Sequence, residues 1–86
     1  MEKFVIAVLV NNQAGVVTRV SGMFTRRGFN IDSLTVGETE DHKYSRMTIT
    51  APGDDRIRHQ IIKQLKKMED VVEVKIMPDY ESVKRE

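Results

Sequence analysis

The chain has 86 residues, no cysteine, and 14 Lys plus Arg against 13 Asp plus Glu, a formal net charge of +1. This length points to one domain, and a domain so small buries only about 60% of its unfolded surface, so a partner subunit is expected to add stability. The missing cysteines exclude disulfides and thiolate metal sites, and the balanced charge gives no whole-chain pull toward nucleic acid or an anionic membrane.

Phe4 to Val10 (FVIAVLV) is apolar and rich in β-branched residues, and turn residues follow it, which predicts a buried strand. It is far shorter than the roughly 20 residues that span a bilayer. The opening MEKF has an acid at position 2 and lacks a signal-peptide pattern. The expectation is a soluble cytoplasmic domain. After the turn NNQAGV, Val16, Val20, Met23 and Phe24 stand at i, i+4, i+7 and i+8, an apolar stripe that predicts a helix running out near Arg27. Gly28 is placed to stop it in a left-handed conformation. Gly22, inside it, costs about 1 kcal/mol against alanine. A close approach by a sheet or a second helix would explain that cost.

Alternation over FNIDSLTVGE predicts a strand from about Asn30 to Thr39, and YSRMTITA predicts its hairpin partner across the polar turn 40–43. Pro52-Gly53 breaks the chain. Asp54 is a good N-cap and Asp55 suits the positive start of a helix, which Ile57, Ile61, Leu65 and Met68 then mark at i, i+4, i+8 and i+11. In VVEVKIM, Val72, Val74 and Ile76 share one predicted face and Glu73 and Lys75 the other, with Pro78 ending the strand. The order is strand, helix, strand, strand, helix, strand. It predicts an α+β, ferredoxin-like βαββαβ sandwich over residues 1–78, with a four-stranded antiparallel sheet, two helices on one face, and a polar tail at 79–86. The second sheet face and the edges need polar side chains or a partner, which again favours an oligomer.

Four candidate sites compete with blander readings. NNQAGV stands at a helix N-terminus, whose free N–H groups and partial positive charge suit a carboxylate or phosphate, and Gly15 allows close backbone approach. Asn12 could cap the helix or hold a ligand's ammonium through its carbonyl. The plain alternative is a capped turn. Asn30, just past Gly28, is either a turn residue or a ligand contact. Arg19, Arg26, Arg27 and Arg46 could form an anion or nucleic-acid patch, but the chain lacks the aromatic pairs on which RNA-binding sandwiches stack bases. Neither His42, in a hairpin, nor His59, on the polar side of a helix, has a serine, threonine or metal-ligand neighbour at catalytic spacing. An enzyme is therefore disfavoured, and no catalytic or metal residue is assigned.

The stretch NNQAGVVTRVSGMFTRRGFNIDSLTVGETED, followed by SRMTIT, resembles the regulatory small subunit of acetohydroxyacid synthase (acetolactate synthase) over about residues 4–78. The resemblance implies an ACT domain that pairs as a homodimer. It also implies a non-catalytic chain that activates a separate catalytic large subunit and confers feedback inhibition by valine in branched-chain amino acid biosynthesis. Thiamine diphosphate, magnesium and FAD would belong to that catalytic partner and none to this chain. By resemblance, Asn12, Gln13, Ala14, Gly15, Val16 and Val17 face valine from one subunit, and Asn30 and Ile31 from the other. Val16, Val17, Ile31 or Leu34 would meet the side chain. Gly15→Asp is then expected to abolish the valine response and keep the fold. The competing readings are an ACT amino-acid sensor with another partner, and a structural activator that binds no effector. Many members of the family continue into a further domain, which these residues do not include.

Overall fold

In the computed structural model, residues 2–77 are described, so the expected stop at Pro78 and the polar tail at 79–86 lie outside the described residues. The elements are β1 (Lys3–Asn11), α1 (Val16–Arg26), β2 (Ser33–Glu38), β3 (Tyr44–Pro52), α2 (Asp55–Lys66) and β4 (Val71–Met77). They form one antiparallel sheet in the order β2-β3-β1-β4. This is the expected ferredoxin-like sandwich.

Period-two alternation sets the core. Phe4, Ile6, Val8 and Val10 of β1 stand opposite Ala51, Ile49, Met47 and Ser45 of β3, all on the face beneath the helices. The predicted stripe of α1, Val16, Val20, Met23 and Phe24, is buried on them, with Ile61 and Leu65 of α2. Each such side chain contributes roughly 1.5–3 kcal/mol of burial.

The helix ends follow their local chemistry. Gly28 takes φ 76°, its N–H donates to Thr25 O at 3.1 Å, and the Phe29 N–H donates to Phe24 O at 2.9 Å. These two bonds make a Schellman stop, sealed by edge-to-face contact of Phe24 and Phe29 with centroids 6.1 Å apart. At α2, Asp54 is the N-cap and accepts from the Ile57 N–H at 3.0 Å.

Three expectations need correction. First, β2 spans Ser33–Glu38 rather than Asn30 to Thr39. Phe29 and Ile31 pack on the core while the chain crosses from helix layer to sheet layer, and Asp32 N–H to Thr50 O, 2.7 Å, precedes the strand. Thr39 turns out of the strand because its Oγ1 donates to Asp41 O at 2.7 Å. Second, Val72 does not share the inner face with Val74. A register shift at Leu9/Val10 sets Val71 opposite Val10 and leaves Val72 51% exposed. Third, no sheet or helix approaches Gly22. A Cβ there would meet only the Arg26 Nη1, at 3.1 Å.

Candidate functional site

The loop from Asn11 to Gly15 leaves β1 at the centre of the sheet and is held from both sides. The Asn11 N–H donates to Asp70 O and the Asn12 N–H to Lys43 O, each at 2.8 Å. One bond reaches the turn before β4, the other the β2–β3 hairpin. Within the loop, Gln13 N–H to Asn11 O (3.0 Å) and Val16 N–H to Gln13 O (3.3 Å) close a tight turn. Gly15 is the N-cap of α1 at φ 86°, ψ −4°, left-handed backbone that suits glycine. No side chain caps this helix, and its first turn holds no acid. Residues 12–15 are exposed.

Arg19, one turn into α1, lies over this start. A Cβ at Gly15 would sit 2.9 Å from Arg19 Nη1. The same guanidinium grips Asp70 with both arms, Nε to Oδ2 at 2.6 Å and Nη2 to Oδ1 at 3.1 Å. That hydrogen bond raises Arg19 above its ordinary pKa and lowers Asp70 below its own; desolvation opposes the shift, and the charge attraction adds a smaller push in its favour. The guanidinium, its charge largely balanced by Asp70, thus stands beside the positive end of the helix dipole at the mouth of α1.

The site residues expected from sequence separate into two groups. Asn12, Gln13, Ala14, Gly15, Val16 and Val17 come together at the start of α1. The side chain of Val16 is buried in the core, so only its backbone faces the loop, whereas Val17 is 40% exposed. Asn12 neither caps the helix nor presents a free carbonyl. Its Nδ2 donates to His42 O at 3.1 Å, and its Oδ1 accepts from Ser45 Oγ at 3.0 Å. Asn30 and Ile31 follow the other end of α1, an eleven-residue helix about 16 Å long, so one chain does not bring the groups together. Leu34 is half-buried on the core. Gly15→Asp is not neutral to the fold as first expected, because the left-handed backbone and the Arg19 contact both oppose a side chain there.

Sequence reasoning missed Asp70 and Ser45. Each lies more than 30 positions from its partner in this cluster, so no local spacing marks it. The four arginines do not assemble into a patch. Arg46 alternates with buried Ser45 and Met47 and so points to the sheet face away from the helices, while Arg26 and Arg27 end α1. Among the described residues no group of three or more His, Asp or Glu is placed to hold a metal, and no helix is long and apolar enough to cross a membrane.

Comparison with known proteins identifies the family. Residues 6–73 match the family described as the AHAS small subunit-like ACT domain. The probable acetolactate synthase small subunit of Methanothermobacter thermautotrophicus is 52% identical over 95% of this chain and 49% of its own length. The acetolactate synthase isozyme 3 small subunit of Escherichia coli is 45% identical over 95% of this chain and 50% of its own. The crystal structure of the acetolactate synthase small subunit from Thermotoga maritima superposes with a TM-score of 0.86 at 43% identity, over 94% of this chain and 51% of that one. The chain thus spans about half the length of the relatives it matches. With the family model matched over residues 6–73 and relatives 45–52% identical over nearly the whole chain, the chain belongs to the family of AHAS small subunit-like ACT domains.

Proposed function

We propose that this chain is the amino-acid-sensing ACT module of an acetolactate synthase regulatory subunit, and that it binds valine between two copies of itself. The observation that carries this reading is the start of α1. It is exposed, uncapped by any side chain, built on a left-handed glycine and overlain by Arg19. Such a place suits the carboxylate of a small amino acid, since an anion at a helix start is favoured by about 0.3–1 kcal/mol when exposed and up to about 2 when partly buried. Val17 offers apolar surface beside it.

Two copies complete the site. β2 is an edge strand. If two β2 edges pair antiparallel about a twofold axis normal to the sheet, Ser33 of one chain lies beside Glu38 of the other. Asn30 and Ile31, just before Ser33, then approach the end of the sheet where the second chain carries its hairpin and its Asn12–Gly15 loop. The helices of both copies stay on one face, and each edge gains the hydrogen bonds it lacks alone. Valine would favour one arrangement of this pair, and a thiamine-diphosphate-dependent catalytic subunit would respond to it, being activated by the module and inhibited through valine. By linkage the catalytic subunit must change valine affinity by the same factor.

Calorimetric titration of the chain with valine, leucine and isoleucine tests the reading. Saturable heat with valine, at one site per α1 start (two per dimer) and with a dimer by sedimentation, is expected. A folded dimer that gives no heat with any of the three would refute it. Co-purification with the catalytic subunit tests the partner separately.

A further inference from the structure

Ser45 is a polar residue in an apolar row. On β3 it alternates inward with Met47, Ile49 and Ala51, it pairs with Val10 of β1 and Glu38 of β2, and it is only 8% exposed. Among the described residues it is the sole buried polar side chain. A buried hydroxyl costs stability unless it is bonded, and an apolar residue of similar size would fill the place without that cost. The partner of Ser45 is Asn12 Oδ1, at 3.0 Å.

The direction of the bond is settled by what surrounds Asn12. His42 O accepts only, so the Asn12 NH₂ must face it, at 3.1 Å. The amide oxygen is thereby turned to Ser45, whose hydroxyl donates. Beyond His42 the hairpin is internally tied: the Asp41 N–H donates to Thr39 Oγ1, the Lys43 N–H to Asp41 Oδ1, and the Tyr44 N–H to Asp41 O. A braced hairpin is joined to the site loop by the Asn12 side chain and by its N–H to Lys43 O.

We propose that Ser45 is a positioning residue of the effector site, fixing the Asn12 amide so that the loop before Gly15 and the β2–β3 hairpin hold one geometry. On this assignment Asn12 does not contact the amino acid. It holds the loop whose backbone does, and it transmits the state of that loop to the hairpin that ends the edge strand β2. The inference rests on the valine reading above.

The test uses the whole chain with valine as the probe. Ser45→Ala is expected to weaken valine about 5–10-fold, the worth of one hydrogen bond. Ser45→Thr, which keeps the hydroxyl, stays within about 3-fold of the wild type. Asn12→Ala/Ser45→Ala binds within about 2-fold of Asn12→Ala alone, because the two residues act as one unit. Without ligand, Ser45→Ala speeds hydrogen exchange of the Asn12 amide about tenfold while circular dichroism is unchanged. Wild-type affinity in Ser45→Ala, or losses that multiply in the double variant, overturns the assignment. If the wild-type chain binds no valine, the effector reading falls. Asn12 exchange then decides alone whether Ser45 ties loop to hairpin, and unchanged exchange overturns that too.

Discussion

α2 opens on Asp54, whose carboxylate accepts from the Ile57 N–H at 3.0 Å, and Asp55 follows in the first turn. α1 opens on Gly15, which has no side chain, and its first turn carries no acid. The two helices are close in length, lie on the same face of one sheet, and both follow a strand. Their starts nonetheless solve the problem of unpaired N–H groups in opposite ways. α2 closes its own positive end with its own carboxylates. α1 leaves its end exposed and sets a guanidinium over it. An internal cap stabilises the fold at all times, whereas an end without one can be completed by a ligand, and only that end can report whether the ligand is present.

The contrast can be broken by putting an acid where α1 has none. Gly15→Asp is expected to weaken valine by about 2 kcal/mol, some 30-fold, through charge repulsion and displacement of Arg19. It is also expected to cost about 1–2 kcal/mol of stability, because an L-residue must take the left-handed backbone. Paired calorimetry and thermal melts separate the two effects. Valine binding equal to the wild type would move the site elsewhere. The converse change, Asp54→Ala, removes the cap of α2. It should cost about 1 kcal/mol, a fall of roughly 4–8 °C in Tm, and leave valine affinity alone. A change in valine affinity there would mean that the two starts are not independent.

Arg19→Gln sharpens the comparison. It removes the cation over Gly15 and should raise the Kd for valine about 5-fold, with a smaller effect on Tm because the Arg19 side chain is 48% exposed. The smallest expected effect is acid dependence. Asp70 is held below its ordinary value near 3.8 by Arg19. A lowered carboxylate contributes stability above its unfolded pKa and loses it as pH falls through the folded one. Melts of the wild type and Asp70→Asn should therefore differ near neutrality and converge below about pH 4. A gap that stays constant down to pH 2 would show that the pair adds nothing through charge.

Much of this was legible locally. The stripe of α1, the stop at Gly28 and the cap at Asp54 depend on residues within a few positions of one another, and the structure keeps them. The bulge that turns Val72 outward was not legible, because the β4 sequence alternates the same way whether or not Val72 is skipped in the pairing with β1. Nor was the late start of β2, since Asn30 to Asp32 alternate like a strand while they cross between layers. At the site, the open glycine start showed in the sequence as NNQAGV. The ties that hold it, Asn12 to Ser45 and Arg19 to Asp70, span 33 and 51 positions and appear only when the sheet brings its ends together. Asn30 and Gly15 stand at opposite ends of α1, so the proposed site needs a second chain to join them.

The most direct test compares the two helix starts in one experiment, following backbone amide shifts while valine is added to the labelled chain. Perturbation at Gly15, Val16, Val17, Asn30 and Ile31, with Asp54 to Ile57 unmoved, is the predicted result. Shifts confined to Asp54–Ile57 or to the open sheet face around Ala7 and Thr48, or no saturable shift at all, would contradict the account.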